Sequence, residues 1–454
     1  MVIYFTTSLS EAVIENRWAA EFHRPGYKFT PKNPDAWQKI ERITQFCQYG
    51  LSIKMNEVGQ GVPIYRLNEI EGCFINEAPT KFAPIGERVA SEFTLVDGDI
   101  LFCRTNGNIN YVGRTGIYYS GKRSVFASYL VRVRTNSREL LPEFLTIYLN
   151  TGFGRKQILR RAMPSNQVNV SAAELKKIDV FLPHCKIQNK IVELVQSAFT
   201  ERKMGLQSYN KARQLLESEL GFNKLKYDKP VGYTARLSEA FDSGRMDAEH
   251  FQPKYLAVRM AIIKYANGYQ PLLNVADSLQ PNIDPRKSPH QYFQYIELAN
   301  INTSLNVVDG SKRGLGSKLP SRAKRTVQSG DVIASAVVGS VDKVALIGQQ
   351  QDGFVASTGF FHFRPKSITS EYLLILLRSE AVRMQFQREA TGGILSAVPD
   401  SRLKHVLVPR VERDIQEKIA SLVSDAHEAK RKSKELIHQA KTRVEQLIQE
   451  AVQT

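Results

Sequence analysis

Two long stretches of the chain carry apolar residues at helical spacing. One runs from about 186 to 220 and the other from about 412 to 452, and in both the apolar positions recur at intervals of three and four. The stripes begin with Ile187, Ile191, Leu194 and Ala198, and with Ile415, Ile419, Leu422 and Ala426. Helices of this length span roughly 50–60 Å and are marginal in water without a partner. We therefore predict that they pair as an antiparallel coiled coil, with lone solvated helices as the alternative.

Short alternating runs bounded by glycine and polar turns precede each long helix and indicate strands. In the first half they lie at 99–104, 115–120 and 129–134, and in the second half at 331–338, 344–348 and 360–365. A helical stretch follows in each half, at 142–162 and 370–390, and then a short strand that ends on a proline, at 178–183 and 405–409. The mixture predicts an α+β fold with the same order of elements in both halves.

The sequence contains an internal duplication. Residues 9–27 and 237–255 match at 9 of 19 positions with an offset of 228, and residues 187–195 and 415–423 match at 6 of 9 with the same offset. A period of this length indicates two similar domains rather than a solenoid. The predicted segments are a first domain at 1–184, a long helix at 185–222, a second domain at 223–410 and a long helix at 411–454.

The charge balance points to a polyanionic partner. The chain has 454 residues, of which 62 are Lys or Arg and 45 are Asp or Glu, giving a formal net charge of +17. Basic surfaces most often neutralise phosphate groups. With 42% hydrophobic and 24% charged residues the composition is that of a globular protein, which excludes wholesale disorder. No apolar run approaches 18 residues, so we expect a soluble protein of the cytoplasm with no membrane partner.

Catalytic signatures are sparse. The four cysteines, at 47, 73, 103 and 185, form no metal-binding spacing, which makes a structural zinc site improbable. Base methylation needs an Asn/Asp-Pro-Pro-aromatic loop and a glycine-rich cofactor loop, and neither occurs. Asp400, Glu428 and Lys430 together imitate a nuclease motif, but Glu428 and Lys430 are two apart on the predicted helix and therefore lie on different faces. The chain is therefore predicted to be a binding protein rather than an enzyme.

Taken together, these features resemble the specificity subunit of type I restriction–modification systems. The resemblance covers nearly the whole chain and rests on GDILFCRTNGN at 98–108, GDVIASAVVGS at 330–340, the prolines Pro183 and Pro409, and the Ile-Gln-x-Lys-Ile helix starts. It implies two target recognition domains, each of which reads one half of an interrupted, asymmetric site in double-stranded DNA. It also implies that the paired helices fix the spacer between the half-sites and bind two methyltransferase subunits, which recruit restriction subunits. S-adenosylmethionine, ATP and Mg²⁺ would belong to those partners, and this chain would need no cofactor.

Candidate DNA contacts combine cations, which position the phosphate backbone, with amides and guanidinium groups that reach base edges. Three clusters occur in the first domain: a turn after the 99–104 strand, a run of four cations, and a second polar loop. Their members are Arg104, Asn106, Asn108, Asn110, Tyr111 and Arg114; Arg155, Lys156, Arg160 and Arg161; and Asn166 and Gln167. The second domain contributes the basic segment 311–325 and one further lysine. These residues are Lys312, Arg313, Lys318, Arg322, Lys324, Arg325 and Lys343.

Two other functions remain open from sequence alone. One is a DNA-binding scaffold of a defence complex that does not methylate, and the other is a self-contained nuclease with an unrecognised metal site. A nuclease would cleave DNA by itself in the presence of magnesium, whereas a specificity subunit would direct methylation only together with its partner.

Overall fold

The structure, a computed structural model, describes residues 9–15, 17–76, 79–163, 167–222, 225, 231–392 and 396–453. Its contacts divide the chain into two units, unit 1 (Met1–Glu201 and Arg431–Thr454) and unit 2 (Arg202–Lys430). Each unit is a mixture of helices and sheets, which agrees with the predicted α+β class. Each unit also includes part of both long helices, so the contact division differs from the sequence segments 1–184, 185–222, 223–410 and 411–454, which stay a prediction.

The elements of the first half precede and include the first long helix. The strands are β1 (Trp37–Lys39), β2 (Thr44–Tyr49), β3 (Val62–Tyr65), β4 (Ile70–Glu71), β5 (Phe74–Ile75), β6 (Lys81–Ala83), β7 (Ile100–Cys103), β8 (Thr105–Asn106), β9 (Thr115–Ile117), β10 (Val125–Phe126), β11 (Leu130–Thr135), β12 (Val168–Asn169) and β13 (Asp179–Phe181). The helices are α1 (Leu9–Glu15), α2 (Ile40–Ile43), α3 (Glu87–Phe93), α4 (Pro142–Leu149), α5 (Gly152–Arg161), α6 (Ala172–Lys176) and α7 (Cys185–Glu219).

The elements of the second half end with the second long helix. Its strands are β14 (Tyr269–Pro271), β15 (Ala276–Ser278), β16 (Tyr292–Ile296), β17 (Ile301–Asn302), β18 (Val307–Val308), β19 (Lys312–Leu315), β20 (Ala323–Thr326), β21 (Val332–Ser335), β22 (Val344–Leu346), β23 (Val355–Ser357), β24 (Phe360–Pro365) and β25 (Leu407–Pro409). Its helices are α8 (Leu237–Ser243), α9 (Pro253–Ile263), α10 (Leu272–Val275), α11 (Ser370–Arg378), α12 (Glu380–Glu389) and α13 (Arg413–Ala451).

A six-stranded sheet lies at the centre of each unit. Its strand order is β2-β11-β7-β9-β5-β4 in unit 1 and β15-β24-β21-β22-β18-β17 in unit 2. The strands predicted at 99–104, 129–134, 331–338 and 360–365 are the central members β7, β11, β21 and β24. These strands are largely buried because both faces of the sheet are packed: alternate residues of β7 belong to two different buried clusters. Burial of both faces explains their nearly continuous apolar runs.

Each predicted helical stretch between sheet and long helix is two helices. At 142–162 the break falls at Thr151, whose hydroxyl accepts a hydrogen bond from the Gly154 amide at 3.0 Å. At 370–390 it falls at Ser379, which caps α12 in the same way through the Val382 amide at 3.5 Å. A hydroxyl that satisfies a free amide starts a new helix, so periodicity alone could not show the break.

The long helices pack in the core of each unit. In unit 1, apolar residues of α7 around Ile191 and Ala198 share a buried cluster with Ala440 and Val444 of α13. In unit 2 the corresponding cluster joins Ala212 of α7 with Val423 of α13. The Ser433 hydroxyl donates to the Ala198 carbonyl at 2.7 Å in unit 1. The two predicted helices are present and contribute residues to the core of each unit, at bounds within one residue of those expected.

The Gly-Asp pairs that open β7 and β21 hold the sheet together. Gly98 and Gly330 adopt φ of 89° and 91°, which favours glycine. The buried Asp99 carboxylate accepts two bonds from Arg134, at 2.7 and 2.8 Å. The equally buried Asp331 accepts from Arg364 at 2.8 and 3.0 Å and contacts His362 at 2.6 Å. This part of the repeated motif therefore serves the fold.

The repeated N-terminal segments are clamped by equivalent arginines. Arg17 donates to the Ala162 carbonyl at 3.1 Å, and Arg245, at the same position of the repeat, donates to the Ala390 carbonyl at 2.9 Å. The charges beside each clamp are reversed between the repeats. Unit 1 places Arg161 3.6 Å from Glu174, and unit 2 places Glu389 3.8 Å from Arg402 at the same two positions.

Candidate nucleic-acid interface

The edge of the second sheet of unit 2 carries exposed cations. This sheet has the order β19-β16-β23-β20, and β19 pairs antiparallel with β16, with Arg313 opposite Gln294. The Arg313 guanidinium lies 4.5 Å from the centre of the Tyr292 ring, and Tyr292 is 58% exposed. An arginine held over an exposed ring keeps its donors available for phosphate or base atoms.

A second segment, distant in sequence, joins this edge. The turns at 285–287 and 316–318 are in contact because position 316 is glycine, where a Cβ would lie 2.2 Å from the Pro285 carbonyl oxygen. The contact brings Arg286 and Lys287 close to Lys318, and all three are exposed. We define the basic face as Arg286, Lys287, Arg313, Lys318 and Arg322, all of which are exposed. Sequence reasoning found only the last three, because the other two lie more than 20 residues earlier.

Some of the cations near this face form ion pairs with carboxylates. Arg286 binds Asp284 of its own turn at 2.9 and 3.0 Å, and this ion pair lowers the pKa of the Asp284 carboxyl to about 2. Lys312 pairs with Glu297 at 2.5 Å, which raises the pKa of Lys312. Lys312 is thus part of the edge strand but already has a carboxylate partner.

Three of the predicted cations in unit 2 point inward or are partly covered. Arg325 is 4% exposed and donates to the Leu279 carbonyl, and its burial lowers its pKa. Lys343 donates to the Leu298 carbonyl at 2.8 Å, and Lys324 is half-buried. Arg325 and Lys343 serve the fold here, so we leave both out of the basic face.

In unit 1 the turn after β7 is exposed and internally braced. The Asn106 side chain accepts from the Asn108 amide at 2.8 Å, and the Asn108 side chain accepts from the Asn110 amide at 3.0 Å. Arg114 stacks on the ring of Tyr111, 3.8 Å from its centre, and both side chains are exposed. The turn therefore presents an arginine–tyrosine stack on a fixed backbone, much as unit 2 does with Arg313.

The structure brings the two polar loops of unit 1 together. Strands β8 and β12 pair antiparallel, with Asn106 opposite Val168. Gln167, just before β12, is exposed, whereas Asn166 lies outside the described residues. Arg104 is half-buried, 4.8 Å from the centre of the Tyr49 ring, behind the turn.

The four cations of α5 do not form one phosphate-binding surface. Arg155 donates to the carbonyls of Val112 and Ile109 and thereby stabilises the turn. Burial lowers the pKa of Arg155. Arg160 donates to the Phe22 carbonyl at 3.2 Å. Arg161 is 4% exposed and pairs with Glu15 at 2.8 Å and with Glu174. Lys156 is exposed.

Neither a metal-binding cluster nor a membrane-spanning helix occurs in the part of the chain that the structure describes. No three His, Cys, Asp or Glu side chains come together there as metal ligands. No helix among the described residues is long and apolar enough to cross a bilayer.

Comparisons with known proteins agree with the resemblance drawn from sequence. The chain is 30% identical over 163 residues to the type I restriction enzyme EcoKI specificity subunit of Escherichia coli K12, covering 35% of each chain. It is 27% identical over 160 residues to the StySPI specificity subunit of Salmonella potsdam, covering 35% of this chain and 34% of that one. The chain is similar to type I specificity subunits. The matched region spans about a third of these relatives, and no family model matches.

Solved specificity subunits align over most of the chain but only loosely. The S subunit from M. genitalium aligns over 94% of this chain and 99% of its own, with 11% identity and a TM-score of 0.42. The HsdS subunit from Thermoanaerobacter tengcongensis aligns over 90% and 97%, with 13% identity and a TM-score of 0.29. At these values the similarity to type I specificity subunits rests on the two sequence relatives.

Proposed function

We propose that this chain is a DNA-binding specificity subunit of a type I restriction–modification complex. The basic face of unit 2 is the observation that carries the proposal. Five exposed cations lie on two segments whose turns contact each other, and one of the cations stacks on an exposed tyrosine. Cations position a protein on phosphates, while arginine and amide groups can reach base edges.

Unit 1 would read a second, different half-site. Its candidate surface is the turn with Tyr111 and Arg114, together with the exposed Lys156 and Gln167, and it differs in composition from the basic face. Two related domains with different surfaces would read an asymmetric site interrupted by an unread spacer. Among the other predicted contacts, Asn106, Asn108 and Asn110 would act by shaping the turn and through their amides.

The two long helices would set the spacer. Residue 198 of α7 contacts residue 433 of α13, and a Cβ at Gly205 of α7 would lie 3.0 Å from the Ala426 carbonyl oxygen of α13. Residue numbers therefore increase along α7 in the direction in which they decrease along α13. This order supports antiparallel pairing as a coiled coil. The same helices would bind two methyltransferase subunits and, through them, restriction subunits.

In this proposal the chain itself is not a catalyst. S-adenosylmethionine would bind to the methyltransferase subunits, and ATP and Mg²⁺ to the restriction subunits. The protein would act in the cytoplasm, where the DNA and these partners are.

The test combines the purified chain with a cognate type I methyltransferase subunit and maps methylated adenines on genomic DNA. We expect paired marks in one split, asymmetric sequence, and no marks when this chain is omitted. Replacing Arg313, Lys318 and Arg322 by alanine should abolish the marks, whereas replacing Lys366, which pairs with Asp277 at 2.7 Å, should not. DNA binding without methylation would favour the non-methylating scaffold, and magnesium-dependent cleavage by the chain alone would favour a nuclease.

A further inference from the structure

One short hairpin in each unit has an uncommon backbone. Among the described residues, Cys73 and Asn306 are the only non-glycine residues with positive φ, at 83° and 50°. Each lies directly before the second strand of a hairpin at the end of the six-stranded sheet: β4–β5 in unit 1 and β17–β18 in unit 2. Two equivalent positions with the same uncommon conformation indicate a shared structural purpose.

In unit 2 this hairpin is held by both long helices. The Tyr209 hydroxyl of α7 donates to the Asn306 side-chain oxygen at 2.8 Å. From α13, His427 contacts the Leu305 carbonyl at 2.9 Å, and Lys430 donates to Asp309 at 3.3 Å. Three polar contacts from two helices therefore converge on one turn.

Asn306 also ties the hairpin into the sheet. Its amide nitrogen donates to the carbonyls of Val344 at 2.7 Å and Asp342 at 3.1 Å, beside β22. Asn306 is 0% exposed and Tyr209 is 1% exposed. A buried side chain that bonds to the helix through its oxygen and to the sheet through its nitrogen fixes the angle between them.

In unit 1 the corresponding hairpin also contacts both long helices, through different groups. Phe74, next to Cys73, contacts the ring of Phe199 on α7, with ring centres 5.7 Å apart. The Cys73 thiol faces Lys441 of α13. The hairpin thus meets both helices in each unit, through a ring contact and a thiol–lysine contact in unit 1 and through hydrogen bonds in unit 2.

We propose that Tyr209 and Asn306 are positioning residues that fix the six-stranded sheet of unit 2 on the helices and so determine which spacer lengths the protein accepts. The second sheet, which carries the basic face, shares a buried cluster with this sheet through Ile296 and Val308. The inference rests on the proposed function, because a spacer preference exists only if two half-sites are read. A weaker joint lets the sheet tilt, so duplexes with a wrong spacer bind with a smaller penalty while the bases read in each half-site stay the same.

The test measures affinity for duplexes that carry the mapped half-sites with the native spacer or with one base pair added or removed. The unaltered chain should prefer the native spacer. In Y209F the ratio of affinities for native and altered spacers should fall by about five- to tenfold, the loss expected for one hydrogen bond. N306G, which tolerates the positive φ but removes both sets of bonds, should lower the ratio further.

The matched control is Y255F. Tyr255 is 3% exposed and its hydroxyl donates to Glu249 at 2.8 Å, but it lies on α9 away from the hairpin. This variant should lose comparable thermal stability with no change in spacer ratio. If Y209F and N306G keep the native ratio, the positioning role is overturned while the proposed function stands. If the unaltered chain shows no spacer preference, bipartite reading fails and the positioning role fails with it.

Discussion

Lys318 is exposed on the basic face, next to the turn that holds Arg286 and Lys287. If it contacts a phosphate, K318A should weaken binding to all DNA sequences by a similar factor. The slope of the logarithm of affinity against the logarithm of salt concentration should also decrease by about 1. Fluorescence anisotropy titrations at several salt concentrations measure this. K366A is the control, and an equal slope in both variants would remove Lys318 from the interface.

Asp331 shows how a single buried carboxylate contributes to stability. Burial alone would raise its pKa, but the bonds from His362 and Arg364 outweigh burial and lower the pKa to about 2, from an ordinary value of 3.8. A carboxylate with a lowered pKa stabilises the fold fully above its ordinary pKa and loses that contribution as pH falls through the lowered value. The stabilisation is about 2 kcal/mol for such a shift.

We therefore expect D331N to be less stable than the unaltered chain at pH 7, with a difference that narrows as pH falls from about 4 to about 2. Urea or thermal unfolding across this range measures the difference. D277N removes an exposed carboxylate, so its effect should be small throughout. A difference for D331N that stays constant down to pH 2 would show that the Asp331 carboxylate is not held by these bonds.

At the scale of elements, the N-terminal segments pack on α5 and α12 with opposite charges in the two units. In unit 1, Glu174 is 6% exposed and lies near Arg161 and Arg17, at 3.6 and 3.7 Å. Unit 2 has Glu389 and Arg402 at the matching positions, and Ser243 where unit 1 has Glu15. The exchange of acidic and basic residues between these two positions keeps an ion pair next to Arg17 in unit 1 and next to Arg245 in unit 2.

This predicts that E174R destabilises unit 1 by about 3–5 kcal/mol, because it removes the carboxylate near Arg17 and Arg161 and places a third cation beside them. The combination E15S, R161E and E174R copies the arrangement of unit 2 and should recover most of the loss. Equilibrium unfolding measures both variants. E57R, at an exposed pair with Lys81, should have only a small effect on stability. A triple variant no better than E174R would contradict the reversed pairing.

At the scale of the whole molecule, the long helices are predicted to fix the spacer. Inserting seven residues in both α7 and α13, at the equivalent points after 201 and 430, adds two turns of helix, or about 10 Å. The preferred spacer should then lengthen by roughly three base pairs, the equivalent of 10 Å along the duplex. Methylation mapping should show unchanged half-sites. An altered half-site with an unchanged spacer would contradict the proposed role of the helices.

The sequence by itself determined the duplication, the class of fold and the positions of the main elements. The strands β7, β11, β21 and β24 and the two long helices were predicted because burial imposes a periodicity that neighbouring residues display directly. The similarity to specificity subunits was also visible in sequence, since it rests on short motifs. The structural role of these motifs was not visible in the sequence, because Asp99 and Asp331 meet their arginine partners only when distant strands pair.

Only the tertiary structure decided which of the predicted cations are exposed. Arg161 and Arg325 look like Lys318 in the sequence, yet both are buried and bonded within the fold while Lys318 is exposed. Arg286 and Lys287 were missed because only the close contact at Gly316 brings their turn to the basic segment. The exposure of a charged side chain depends on the elements that pack around it, and those elements are distant in the sequence. Local sequence therefore specifies the strands and helices, whereas long-range packing decides which side chains face solvent.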